Sequence, residues 1–166
     1  MTLTDLNAAD RDRFVRALGS IFEDSPWVAE RTWLRRPFAS VDALHAAMTN
    51  EVAVAHRSAQ LALLCAHPDL GTRARMSDAS SGEQAGAGLD RLTTDEFARL
   101  ERMNTAYREQ FGFPFLFAVK GSTKHDILAA LERRLPASVE DEFAEALRQV
   151  SRIARFRLDD LIRGCT

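Results

Sequence analysis

Three times in its second half the chain repeats one four-residue signal, a hydroxyl residue followed three positions later by an acid: Thr93 with Glu96, Thr123 with Asp126, and Ser138 with Asp141. In this capping-box pattern the hydroxyl accepts an amide of the first helical turn and the acid reaches back to the cap. Behind each signal, apolar residues recur at helical spacing. They are Phe97, Leu100, Met103, Tyr107 and Phe111; then Ile127, Leu128, Leu131 and Leu135; then Val139, Phe143, Leu147, Val150, Ala154, Leu158 and Leu161. Helices with one apolar stripe bury it by packing on one another. No stretch alternates apolar and polar residues long enough to make a strand. The expectation is therefore an all-α fold: a single compact domain spanning 1–166, of about seven to nine helices.

The first half extends the pattern. Phe14, Val15, Ala17, Leu18, Ile21 and Phe22 mark an amphipathic helix starting near Asp10. Ser25-Pro26 has the order of an N-cap and an N1 proline, opening a short helix through Trp33 that ends before Arg36-Pro37-Phe38. Ser40 can cap a helix from Val41 to about Met48. After a weak break near Asn50, another helix should run through His56 and Leu61 to His67, where Pro68 stops it. The glycine-bearing interval from Gly71 to Gly88 reads as a loop feeding a helix. It is not a domain linker, because the composition is the same on both sides and neither half has enough apolar stripes to stand alone.

Composition narrows the function. With 22 basic and 24 acidic residues the net charge is -2, so no excess of positive charge points to nucleic acid or an anionic membrane. No run approaches the roughly 18 to 20 apolar residues of a membrane span, and the N-terminus lacks a signal core. Gly164-Cys165-Thr166 is not a peroxisomal address. Two cysteines, Cys65 and Cys165, fit a reducing compartment better than a disulfide framework, and a cytoplasmic protein is expected.

Four features break their local rules. His67 sits at the mouth of the apolar run Ala62-Leu63-Leu64-Cys65-Ala66, either as a favourable cation at a helix end or as a titrating group at a site. Ser80, Ser81, Gly82, Glu83 and Gln84 put hydroxyls, a glycine and a carboxylate at an expected helix start, either as a plain cap or as an anion-binding nest. The run Phe111-Gly112-Phe113-Pro114-Phe115-Leu116-Phe117-Ala118-Val119 is an extended connector near 112–119. Its rings fill core, while its buried amides need partners that a ligand could supply. Arg157 shares a helical face with Val150, Ala154 and Leu161; it either snorkels or meets a carboxylate, from Glu83, Asp69 or a substrate.

Metal and nucleotide signatures are absent. His45, His56 and His67 are spaced by eleven, which on one helix would set them roughly 16 Å apart, too far to share a metal. There is no phosphate loop, nucleophile elbow or dinucleotide fingerprint.

Taken in order, His67-Pro68-Asp69-Leu70-Gly71, Ser80-x-x-Glu83-Gln84 leading to Ala87-Gly88-Leu89, Phe111-Gly112-Phe113-Pro114-Phe115, and Ile153-Ala154-x-x-Arg157-Leu158 resemble the 2-oxo-4-hydroxy-4-carboxy-5-ureidoimidazoline (OHCU) decarboxylases. The resemblance runs from about Phe14 to Leu161 and includes Trp33 and Arg36-Pro37-Phe38. It implies a carboxy-lyase of urate degradation that releases CO2 to give (S)-allantoin, an all-helical fold, a homodimer, and no metal or organic cofactor. It also implies His67 as catalytic acid and Glu83 as the catalytic-site carboxylate. Pro68, Ser80, Ser81, Gly82, Glu83, Gln84, Phe115, Leu116, Phe117, Ala118 and Val119 would line the substrate, with Arg157 as electrostatic anchor. Lys120 departs from the arginine that many relatives carry after the connector. The competing readings are a non-catalytic helical module that binds ureides, and a structural adaptor with His67, Glu83 and Arg157 scattered over its surface.

Overall fold

Capping decides where the helices of this chain begin. The computed structural model describes the backbone of residues 1–71 and 78–163 and the side chains of 1–71 and 81–162. Among the described residues there are nine α-helices, two short 3-10 turns and no strand. The all-α expectation holds.

In α7 (Thr94–Phe111) and α8 (Lys124–Arg134) both arms of the capping box form, from Thr93 and Glu96 and from Thr123 and Asp126. Before α9 (Val139–Arg163), Ser138 accepts the Asp141 amide at 3.1 Å and its hydroxyl donates to the Asp141 carboxylate at 2.7 Å. A fourth box, Thr2 with Asp5, opens α1 (Leu3–Ala8), a helix that no apolar stripe announces. Asp10 caps α2 (Arg11–Leu18), and Ser40 caps α4 (Val41–Ala53). In α3 (Pro26–Thr32) Pro26 takes the first position as expected, but the Ser25 hydroxyl makes no capping bond. A 3-10 turn, Trp33–Arg35, follows it.

Two boundaries differ from the sequence reading. The break expected near Asn50 falls later, after Ala53, and α5 (Arg57–Ala66) starts beyond His56. Nothing at Asn50 interrupts the backbone ladder. The end of α4 is instead closed by Gln60 of the next helix, whose amide donates to the carbonyls of Val52 and Ala53 at 2.9 and 3.2 Å. His56 stays outside α5 and accepts the Ser58 amide on Nδ1 at 3.3 Å. The interval read as a loop contains α6 (Asp78–Gly86), then a 3-10 turn, Leu89–Arg91. With no proline in the segment, Gly82 weakens this helix without ending it, and Gln84 and Ala87 are buried three residues apart. Ser77 and Cys165 lie outside the described residues.

The backbone divides into two units. One comprises Met1–Ala66 with the stretch from Ser151 onward; there α3 packs on α2 and α4, and Leu6, Phe14, Val28, Leu44 and Met48 are fully buried. Each such side chain contributes roughly 1.5–3 kcal/mol of transfer free energy. His45 of α4 holds α9 here through its Nε2 and the Ser151 carbonyl at 2.8 Å, which gives this histidine a structural task.

The other unit is His67–Val150. Its core is aromatic: Tyr107 lies 4.5 Å from Phe111 and 5.3 Å from Phe115, centroid to centroid, and Phe113 meets Phe143 edge-on at 5.7 Å. Gly112 ends α7 with φ 79°, a left-handed conformation that glycine adopts without the Cβ penalty. The chain then runs through Pro114–Val119 with neither helix nor strand, where the extended connector was expected.

Candidate active site

His67 is the first residue after α5 and is only 5% exposed, so Pro68 delivers the imidazole into the protein interior. The turn that follows is held at Asp69, Leu70 and Gly71. Arg108 donates to the Asp69 carboxylate at 2.9 Å, Asn104 donates to the Leu70 carbonyl at 2.9 Å, and the Gly71 amide donates to Gln84 Oε1 at 2.8 Å. Gly71 has φ 73°, and a Cβ built there would lie 2.5 Å from Leu100. Gly71→Ala is therefore expected to destabilise the fold by about 1–3 kcal/mol through strain and overlap together. A urea midpoint equal to that of wild type would contradict this.

The Ser80–Gln84 segment lies inside α6 and not in a loop ahead of a helix. Ser81 and Gly82 are exposed, Glu83 is half-buried and Gln84 is buried; the Ser80 side chain lies outside the described residues. Gln84, expected to meet the substrate, uses its amide oxygen on the turn after His67.

In the connector, Phe115, Leu116, Ala118 and Val119 are buried and Phe117 is half-buried. The protein itself meets part of the backbone demand. Arg134 donates to the Leu116 carbonyl at 2.7 Å, and the Ala118 amide donates to Gln149 Oε1 at 2.9 Å. Gln149 is fixed in turn by its bond to Glu145 at 2.7 Å. Arg134 also lies 4.6 Å over the Phe115 ring and is paired with Glu142, which accepts the Tyr107 hydroxyl at 2.7 Å. Burial, reinforced by that hydrogen bond to Glu142, pushes the Tyr107 phenol well above its ordinary range and keeps it a donor. Arg134 and Gln149 were missed in the sequence. Each nevertheless falls on an apolar face, Arg134 three residues after Leu131 and Gln149 three after Ala146, the same pattern that singled out Arg157.

Arg157 is 9% exposed, which excludes snorkelling, and it meets the Glu23 carboxylate at 2.8 Å, a partner the sequence reading did not name. It also donates to the Ser20 carbonyl at 3.3 Å. Glu23 is itself buried, so each charge answers the desolvation of the other, whereas Asp69 is engaged by Arg108.

Among the hollows of the His67–Val150 unit, two are lined by described residues. One of about 710 Å³ is walled by Asp69, Leu70, Asn104 and Arg108; another of about 420 Å³ is walled by Ser81, Gln84 and Leu92, and Gly71 and Phe97 border both. His67, Glu83 and the connector line neither. No group of three or more potential metal ligands occurs among the described residues. His67 and Arg157 are both buried, which is incompatible with an adaptor that displays them on its surface.

Fold and site together define an all-helical protein with a buried imidazole at a helix end and a connector fixed by side chains. The OHCU decarboxylase family model matches residues 7–159. The chain is 51% identical over 158 residues to the 2-oxo-4-hydroxy-4-carboxy-5-ureidoimidazoline decarboxylase of Haloferax volcanii, covering 95% of this chain and 94% of the relative. It is 49% identical over 161 residues to the protein of the same name from Halalkalicoccus jeotgali, covering 97% and 92%. The crystal structure of an (S)-allantoin synthase superposes with a TM-score of 0.78 at 36% identity, over 98% of this chain and 54% of that one. The chain belongs to the OHCU decarboxylase family.

Proposed function

We propose that this chain is a carboxy-lyase of urate degradation that converts 2-oxo-4-hydroxy-4-carboxy-5-ureidoimidazoline to (S)-allantoin and CO2, with His67 as the proton donor. Family membership across residues 7–159 is the observation that carries the reaction. Support for the donor is the placement of His67, a buried imidazole set at a helix end by Pro68.

The chemistry asks little of the protein beyond binding and protonation. The bond to the carboxylate carbon breaks, its electron pair is taken up by the adjacent C=N of the substrate ring, and a proton completes the product. The substrate is its own electron sink, so these steps call on no organic cofactor. His67 gives the proton to one face, which accounts for a single enantiomer. In an extended chain, successive residues turn their amides to opposite sides. Leu116 and Ala118 turn theirs toward Arg134 and Gln149, so the N–H and C=O of Phe117 are left to hold the ureide. Pro68, Ser80 to Gln84 and the rest of Phe115 to Val119 complete the lining, and Glu83 orients a ring or hydroxyl group. Arg157, held by Glu23, positions an anionic group. The protein works as a cytoplasmic homodimer; no helix among the described residues is long and apolar enough to cross a membrane.

Urate degradation with the upstream enzymes supplied tests the activity, followed by circular dichroism. The expected result is faster appearance of one allantoin enantiomer when this protein is present. A rate and handedness equal to the protein-free control, with allantoin merely bound, would leave a ureide-binding module instead. Glu83→Gln separates charge from shape at that position: kcat should fall by about 100-fold, the scale of a positioned acid–base group. An unchanged rate would remove the carboxylate from the chemistry.

A further inference from the structure

We propose that Asn104 is a positioning residue for the reaction, fixing through Leu70 the segment that carries His67. The inference rests on the reading of His67 as proton donor.

Leu100, Asn104 and Arg108 recur every four residues along α7 and so form one stripe of that helix. The stripe meets the chain after His67 residue by residue, in reverse order. Leu100 closes on Gly71, where an added Cβ would come within 2.5 Å of its Cδ2. Asn104 Nδ2 donates to the Leu70 carbonyl at 2.9 Å, and Arg108 donates to Asp69 at 2.9 Å. From α6, Gln84 holds the Gly71 amide at 2.8 Å.

Of these contacts, the one from Asn104 is the least explained by packing. The residue is 8% exposed, and its Oδ1 is buried without a hydrogen-bond partner. A buried acceptor left unpaired is unfavourable, and an apolar side chain of similar volume would avoid it. What the amide alone supplies is the donor to Leu70. Only Pro68 and Asp69 separate His67 from Leu70, and the proline ring fixes one of the intervening torsions. Anchoring the Leu70 carbonyl therefore limits the swing of the imidazole. A proton donor that must address one face of its substrate is sensitive to such a limit, since misplacement by about 1 Å can cost about 100-fold in rate.

Asn104→Leu tests this with three readouts: steady-state kinetics, thermal unfolding, and the His67 imidazole resonances by NMR. The expected result is a fall in kcat of about tenfold or more with KM changed less than about twofold. The His67 resonances should shift or broaden, and the melting temperature should change little, because removing the unpaired Asn104 oxygen offsets the Leu70 carbonyl left without its donor. Wild-type kcat with unmoved His67 resonances would overturn the proposal, as would a loss confined to KM or one matched by a lowered melting temperature. Should Asn104→Leu fail to fold, Asn104→Asp replaces it, since it keeps the size of the side chain and exchanges the donor for an acceptor. Wild-type turnover by His67→Ala would instead remove the proton-donor reading, and the His67 resonances alone would then judge whether Asn104 fixes the segment.

Discussion

His67→Ala is expected to lose the stereospecific acceleration while keeping the fold. A positioned general acid contributes about 10²–10⁴-fold, and the substrate's own ring handles the electron pair, so protonation is the main chemical task left to a side chain. The methyl group of alanine cannot carry a proton at any pH. Truncation should leave the helices intact, because α5 is complete at Ala66 and Pro68 still ends it. The measurement is allantoin formation followed by circular dichroism, with the far-ultraviolet spectrum of the variant as control for folding. Wild-type rate and handedness from a folded His67→Ala would exclude the imidazole from the chemistry.

Arg134→Met is expected to produce the largest loss of stability. Its guanidinium is 10% exposed and faces a Glu142 carboxylate that is 2% exposed, with Arg134 Nε donating to Glu142 Oε1 at 2.5 Å. Methionine leaves Glu142 with only the Tyr107 hydroxyl from this group and strands the Leu116 carbonyl. Breaking a buried pair from one side costs about 3–5 kcal/mol. For a chain of 166 residues that is a melting temperature lowered by about 10 °C. The double variant Arg134→Met with Glu142→Leu should recover much of the loss, because a buried pair exchanged for apolar residues is often neutral. A single variant within about 1 kcal/mol of wild type, or a double variant no better than the single, would show that the pair is not the source.

What the sequence revealed follows from how local each signal is. Thr93 with Glu96 and Thr123 with Asp126 are complete within one helical turn, so α7 and α8 begin where their residues say. Pro68 stops α5 by its own covalent geometry, and the placement of His67 follows. The true end of α4 was hidden because it depends on Gln60, a side chain of the next helix reaching back. Arg157 was recognisable as a buried charge, since the helical period exposes the anomaly. Its partner was not, because Glu23 lies far away along the chain and only the fold brings the two together. Asn104 was the least visible of all: a polar residue inside a helical stripe carries no mark of the carbonyl it will meet.

The connector also bears on how this protein fails. From Phe115 to Val119 the chain is uncharged, apolar and free of proline, a short window of the kind that pairs edge to edge between molecules once it is released. Arg134 and Gln149 keep that window occupied while the protein is folded. Pro114 guards only its entrance. Heating Arg134→Met should therefore end in turbid, irreversible aggregation at a lower temperature than for wild type, which would make this arginine a gatekeeper of solubility as well as a structural anchor.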